Sequence, residues 1–133
     1  LTAEFGKSVT IHGFVPDIRD FLAHSAVLVV PLRVGGGMRL KLLDFFASGK
    51  AVVTTTIGAE GNLAKDSVHA LIRDTADGFA EAVLQLLADS KLRTQLGTSS
   101  RELVMQHYSW QTIAKDFTRL YEWVLTNRDA RPV

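Results

Sequence analysis

The sequence predicts an α/β fold: a doubly wound parallel sheet with a helical C-terminal third. Three observations carry this. Val27–Val30 (VLVV) and Ala51–Thr55 (AVVTT) are continuous β-branched and aliphatic runs. Runs of this kind suit strands covered on both faces, as in a parallel sheet. Between and after them lie stretches with apolar residues at helical spacing. Strands and helices alternate, the order that a parallel sheet with crossover helices requires.

Taken in order, Leu1–Ser8 is the end of a helix or a lead-in. Val9–His12 is a short strand, and Gly13-Phe14-Val15-Pro16 a turn at its C-terminal end. Asp17 is an N-cap for a helix Ile18–Ser25, with Ile18, Phe21 and Leu22 on its apolar face. Pro31 closes Val27–Val30. Gly35-Gly36-Gly37 is a turn into a helix Met38–Ser48, which Gly49 ends. The turn Thr54–Gly61 leaves the second buried strand. Ser67–Arg73 is the last strand, with Asp74 in the turn after it. Gly78–Ala88 is an amphipathic helix with Phe79, Val83, Leu86 and Leu87 on one stripe. Asp89-Ser90 starts another, carrying Leu92 and Leu96, and Ser99–His107 carries Leu103 and Val104. Ser109 caps the helix Trp110–Asn127, whose stripe is Ile113, Phe117, Leu120, Tyr121 and Val124. The division is one domain over 1–126 and a polar tail over 127–133.

At 133 residues and 47% hydrophobic content the chain has the material for one buried core. Net charge is +1, from 15 basic and 14 acidic residues, with no sign of a nucleic-acid partner. The absence of cysteine excludes a disulfide framework, thiolate catalysis and a cysteine-ligated metal. No apolar run approaches the length of a membrane span and there is no signal peptide, so a cytoplasmic soluble protein is the default. Leu1 is not an initiator methionine, which points to a chain trimmed, processed or cut from something longer.

The chemistry concentrates at Gly35–Asp44. A strand, a glycine-rich turn and a helix N-terminus together make an anion site: the turn brings backbone N–H groups close, and the helix dipole favours negative charge. On the helix, Lys41, Asp44 and Ser48 form a narrow polar stripe, and Leu40, Leu42, Leu43, Phe45, Phe46 and Ala47 cover the rest. Arg39 falls within the apolar arc. Two readings stand: it reaches a phosphate held by the turn through a bidentate contact, or it snorkels to solvent or pairs with an acid. Lys41 contacts the ligand or pairs with Asp44 along the helix. Glu60, in the turn after the second buried strand, lies where open α/β sheets bind ligands, or is a solvated loop acid. Gly49-Lys50 is no P-loop, because Asp44 stands at its first glycine and the segment precedes a strand. Gly35-Gly36-Gly37 is no dinucleotide fingerprint, because position 40 is Leu. His12, His24, His69 and His107 lack metal-ligand spacing, and there is no D-x-D pair; Asp17/Asp20 and Asp74/Asp77 read as solvated acids.

GGGMRLKLLDFFASGKAVVTTTIGAEG resembles the donor-site segment of retaining glycosyltransferases of the GT-B fold, family 4-like. VTIHGFVPD, the Phe79–Asp89 helix and Tyr108-Ser109-Trp110 extend the likeness over Val9 to Leu125. The resemblance implies a Rossmann-like GT-B C-terminal domain, incomplete at its N-terminus. It implies sugar transfer from a nucleoside-diphosphate sugar, with no metal or cofactor. Arg39 and Asp44 would carry the chemistry. Gly35, Gly36, Gly37, Arg39, Lys41, Asp44 and Glu60 would bind the donor, with Asp44 on the ribose hydroxyls. His12, Gly13, Phe14 and Val15 would line the base pocket. Gly36 replaces the first acid of the family's two-acid signature, Asp44 is a shortened Glu, and Ala51 stands where proline is common.

The family's acceptor-binding N-terminal domain would be missing, so this chain alone is expected to be inactive. With the strand order 3-2-1-4-5-6, Val9–His12 would be strand three and Val27–Val30 strand four. The strands between them would be absent, which predicts a homo-oligomer. The alternatives are a non-catalytic self-associating module, or a regulatory domain that binds phosphate or nucleotide.

Overall fold

A computed structural model describes residues 6–127. Three strands, β1 (Val27–Val30), β2 (Ala51–Thr54) and β3 (Leu71–Ile72), form a parallel sheet in the order β1-β2-β3. The helices are α1 (Arg19–His24), α2 (Leu40–Ala47), α3 (Thr56–Ala59), α4 (Ala76–Ala88), α5 (Ser90–His107) and α6 (Trp110–Thr126). Val27 stands opposite Ala51, and Val53 opposite Leu71. The expected α/β fold is observed, and the last three strands of the expected order are neighbours as anticipated.

All four residues of β2 are buried, because it lies between the other two strands and is covered on both faces. Alternation along the strand splits the core. Val52 packs with Leu28, Val30, Leu42, Phe46 and Leu103, beneath α2 and the C-terminal half of α5. Ala51 and Val53 pack with Leu71, Ala82, Leu86 and Leu96, beneath α4 and the N-terminal half of α5. β1 departs from the expectation of two covered faces: Leu28 and Val30 are buried, but Val29 is 46% exposed. Among the described residues β1 pairs with β2 alone, so its other edge is open. Lys50 ties β1's approach to β2: its ammonium donates to the carbonyls of Ala23 (2.7 Å) and Ser25 (3.1 Å), closing the C-terminal end of α1.

Three further stretches differ from the sequence reading. Val9–His12 is not a strand; it runs without regular structure, with Ile11 65% exposed. A segment of four residues has no strand conformation of its own without a partner to bond, and no described residue supplies one. Ser67–Arg73 contributes only Leu71–Ile72 and an isolated bridge between Asp66 and Ala70. Ser67 has φ +60, and the amides of Val68 and His69 both turn back onto the Lys65 carbonyl, which ends any extended run there. Helix α2 begins at Leu40, leaving Arg39 as its N-cap with extended backbone and placing Leu40 71% exposed, not in the apolar arc.

Residues 90–107 form one continuous helix through Gly97. Here glycine serves close approach: a β-carbon at Gly97 would run into the carbonyl of Gly49, where α5 crosses the end of α2. Neither partner is a flexible side chain, so Gly97→Ala is expected to cost about 1–3 kcal/mol by overpacking, read from the denaturant midpoint. An unchanged midpoint would show that this crossing can relax.

The short β3 is held by Asp66, whose Oδ1 accepts from the Ile72 amide and from the Arg73 guanidinium, both at 2.8 Å. Partial burial pushes the Asp66 carboxyl up, but the Ile72 amide and Arg73 outweigh it and hold it below the usual 3.8. A carboxylate with a depressed folded value contributes stability above its unfolded value and loses it as pH falls through the folded one. Stability is therefore expected to be pH-independent from this source above about pH 4 and to fall below it. Asp66→Asn should flatten that acid limb in pH-resolved unfolding.

Candidate functional site

The C-terminal ends of the three strands carry the turns that matter. The first runs from Pro31 to Arg39 after β1, the second from Thr55 to Gly61 after β2, and the third from Arg73 to Thr75 after β3. In open α/β sheets ligands bind outside these strand ends. Buried threonines join the first two turns. The Thr54 hydroxyl donates to the Val30 carbonyl at 3.3 Å, and the Thr55 hydroxyl donates to the Leu32 carbonyl and accepts from the Gly58 amide. The third turn is fixed to the second by Asp74, whose carboxylate accepts from the Thr56 amide (2.8 Å) and the Thr56 hydroxyl (2.7 Å). Those two bonds, the amide first, hold the Asp74 carboxyl below its ordinary value. The sequence reading took Asp74 for a solvated turn acid and missed this clamp. Its signal was not local: a threonine run leaving one strand and an acid leaving the next come side by side only once the two strands are parallel neighbours.

Within the first turn, Gly35 (φ +144) and Gly37 (φ +80) hold backbone conformations that favour glycine. Arg39 folds back over them: its Nη1 donates to the Gly36 carbonyl at 2.9 Å. Gly35 lies so close to the guanidinium that a β-carbon there would overlap Nη2. The other edge of the guanidinium is unusual. Nε and Nη2 are both buried and have no hydrogen-bond partner. An unpartnered buried cationic edge is costly, and Nε with Nη2 is the side of an arginine that grips a carboxylate or phosphate with two parallel bonds. The reading in which Arg39 pairs with an acid is not realised: none of the ion pairs among the described residues includes it.

Of the residues singled out from sequence, the structure brings Gly35, Gly36, Gly37 and Arg39 together in one turn. Glu60 and Gly61 lie beside them, because Gly61 (φ +78) packs on Met38, where a β-carbon would sit 3.1 Å from the Met38 amide nitrogen. Lys41 and Asp44 are exposed on the outer side of α2, and no ion pair within 4.0 Å joins them. His12, Gly13, Phe14 and Val15 stand apart, before α1. Phe14 is 94% exposed, and His12 makes an edge-to-face contact with Phe21 at 4.7 Å between ring centroids. A small cleft of about 230 Å³ opens at the strand ends between Pro31, Arg33, Asp74 and Phe79. No group of three or more His, Asp or Glu placed to hold a metal occurs among the described residues. No described helix is long and apolar enough to cross a membrane.

Comparison with known proteins places this arrangement. The sequence profile of the glycosyl transferases group 1 family matches residues 1–89. A lipopolysaccharide core biosynthesis glycosyltransferase of Rhizobium meliloti, LpsE, is 31% identical over 129 residues, covering 90% of this chain and 36% of that protein. Among solved structures, the C-terminal domain of a glycosyl transferase group 1 family protein of Francisella tularensis superposes with a TM-score of 0.71 at 24% identity. That match covers 82% of this chain and 58% of the other. Sucrose-phosphate synthase of Thermosynechococcus elongatus superposes with a TM-score of 0.79 at 24% identity, over 94% of this chain and 33% of that one. The chain spans about a third of the length of the curated relatives it matches. The matched profile covers the strands, the glycine turn and the Asp74 clamp: this chain belongs to the glycosyl transferases group 1 family.

Proposed function

We propose that this chain is the nucleotide-sugar donor-binding part of a retaining glycosyltransferase, transferring a sugar from a nucleoside-diphosphate sugar to an acceptor held by another domain. The observation that carries the reading is the unpartnered Nε–Nη2 edge of Arg39 at the glycine turn. Such a transfer must stabilise a departing diphosphate while the sugar becomes oxocarbenium-like. A fixed guanidinium and oriented amides supply that stabilisation electrostatically. Arg39 and the amides of Gly35–Gly37 take the diphosphate, and Asp44, a turn further along α2, takes the ribose hydroxyls. Family membership supports sugar transfer as the chemistry. The 133 residues bind the donor but do not turn it over, because catalysis needs both reactants in near-attack geometry.

The test is a titration with UDP, GDP and ADP followed by backbone amide shifts. At least one should perturb Gly35–Asp44 and Glu60–Gly61. Shifts confined to α4, α5 or α6 would refute the site. The same samples report assembly. β1's open edge, with Val29 exposed, and the exposed Val9–Ile11 segment support self-association. Light scattering should give a dimer or larger species; a monomer at high concentration would remove that reading without touching the donor site.

A further inference from the structure

Helix α6 stands away from the rest of the fold. None of its residues is buried, and only Thr112 and Ile113, in its first turn, are half-buried. From Ala114 to Thr126 every residue is exposed, among them Phe117, Leu120, Tyr121, Trp123 and Val124. A contiguous apolar face of this kind marks an interaction surface. Its pattern is specific. Trp110, Ile113, Phe117, Leu120 and Val124 follow one another at alternating steps of three and four residues, the seam of a coiled coil. A notch of about 210 Å³ opens on that seam, lined by Ile113, Asp116, Phe117 and Leu120. These are residues i, i+3, i+4 and i+7, the four that make a hole for one knob of a facing helix.

We infer that α6 pairs antiparallel with α6 of a second copy of this chain, Leu120 of each copy filling the notch of the other. The inference rests on the self-association reading and gives it a surface other than β1's open edge. A second copy fits on shape, charge and area. Two-fold pairing sets Phe117 against Leu120 and Ile113 against Val124, so the layers around the axis are apolar. It lays the Asp116 carboxylate of one copy beside the Trp123 indole of the other, an acceptor beside a donor. Trp110, Phe117, Leu120, Tyr121, Trp123 and Val124 are all exposed. At about 150–250 Å² for a whole aromatic side chain they offer roughly 700 Å² per copy, near the ~800 Å² that each partner gives a standard interface. The polar face carries Lys115 and Arg119 against Asp116 and Glu122, two charges of each sign. A helix that lies on an anionic bilayer has a basic polar face instead.

Trp110 and Trp123 are the chain's only tryptophans and both lie on α6, so intrinsic fluorescence reports this surface alone. A dilution series of the chain, followed by sedimentation equilibrium, should show monomer and dimer in exchange, with tryptophan emission moving to the blue along the same curve. Phe117→Glu, at an exposed position, should raise the dimer dissociation constant by roughly 100-fold or more, the scale of an unpaired charge closed into the seam. Lys115→Gln, on the opposite side of the helix, should leave it unchanged. Leu120→Lys should be monomeric like Phe117→Glu, and mixing those two variants should restore a heterodimer, because antiparallel pairing sets position 117 of one copy against position 120 of the other. Failure of the mixed variants to associate overturns the antiparallel pairing. Phe117→Glu that still dimerises, with its emission unmoved by dilution, overturns α6 as the surface and leaves association through β1's edge standing. A wild-type chain that is monomeric throughout overturns both. A blue shift with phosphatidylglycerol vesicles but not with protein concentration makes α6 a membrane-binding helix and overturns the pairing.

Discussion

Phe46→Ala is expected to lower the stability of this domain by about 3–5 kcal/mol, the cost of removing a fully buried aromatic and leaving a cavity. Phe46 is completely inaccessible and packs with Leu22, Leu28, Leu42, Val52 and Leu103, so it joins the sheet to α1, α2 and α5 at one point. A domain of this size has a total stability of about 5–15 kcal/mol, so the loss is a large fraction. Its second consequence is functional. Helix α2 is held on the sheet by Leu42 and Phe46, and its N-cap is Arg39. Loosening the helix frees the guanidinium from the turn it covers. Leu40→Ala on the same helix is the control: Leu40 is 71% exposed and should change stability by less than about 0.5 kcal/mol. Chemical denaturation of the two variants separates them. A loss below about 1 kcal/mol at Phe46 would be incompatible with this packing.

What could be read from sequence divides along a physical line. Val27–Val30, Ala51–Thr54 and the three long C-terminal helices are legible because hydrophobic periodicity and caps are local signals; the Asp89 and Ser109 side chains accept an amide at the expected helix starts, and Thr75 caps the other, which starts at Ala76, two residues before the expected Gly78. Val9–His12 carries a weaker, β-branched signal and lacks a neighbour, and strand formation is a property of the pair. Leu40 was counted as apolar and therefore inward, yet the helix starts at Leu40 itself, where the direction of a side chain depends on how the turn delivers it. The glycine turn and Arg39 were legible as a unit because their spacing is short. Asp74 was not: it acts on Thr56, in the turn after the neighbouring strand, and that pairing carries no pattern along the chain.

Arg39→Ala is expected to weaken nucleoside-diphosphate binding by about 1.5–3 kcal/mol, or roughly 10- to 150-fold in Kd. The magnitude is that of a charge-assisted pair made by an already positioned group. The guanidinium is half-buried and anchored through Nη1 to the Gly36 carbonyl, so little side-chain freedom remains to be lost when the Nε–Nη2 edge closes on phosphate. Arg39→Lys sharpens the test. Lysine keeps the charge but has no planar fork, so it cannot hold the Gly36 carbonyl and grip a phosphate bidentately at once; it should recover only part of the affinity. Stability should respond in the opposite direction to binding, because removing an unpartnered buried edge relieves a desolvation cost in the ligand-free chain. Calorimetric titration with UDP, GDP and ADP, alongside thermal unfolding of the same variants, reads both quantities. Unchanged affinity in Arg39→Ala together with lowered stability would make Arg39 a structural clasp of the glycine turn and move the diphosphate elsewhere.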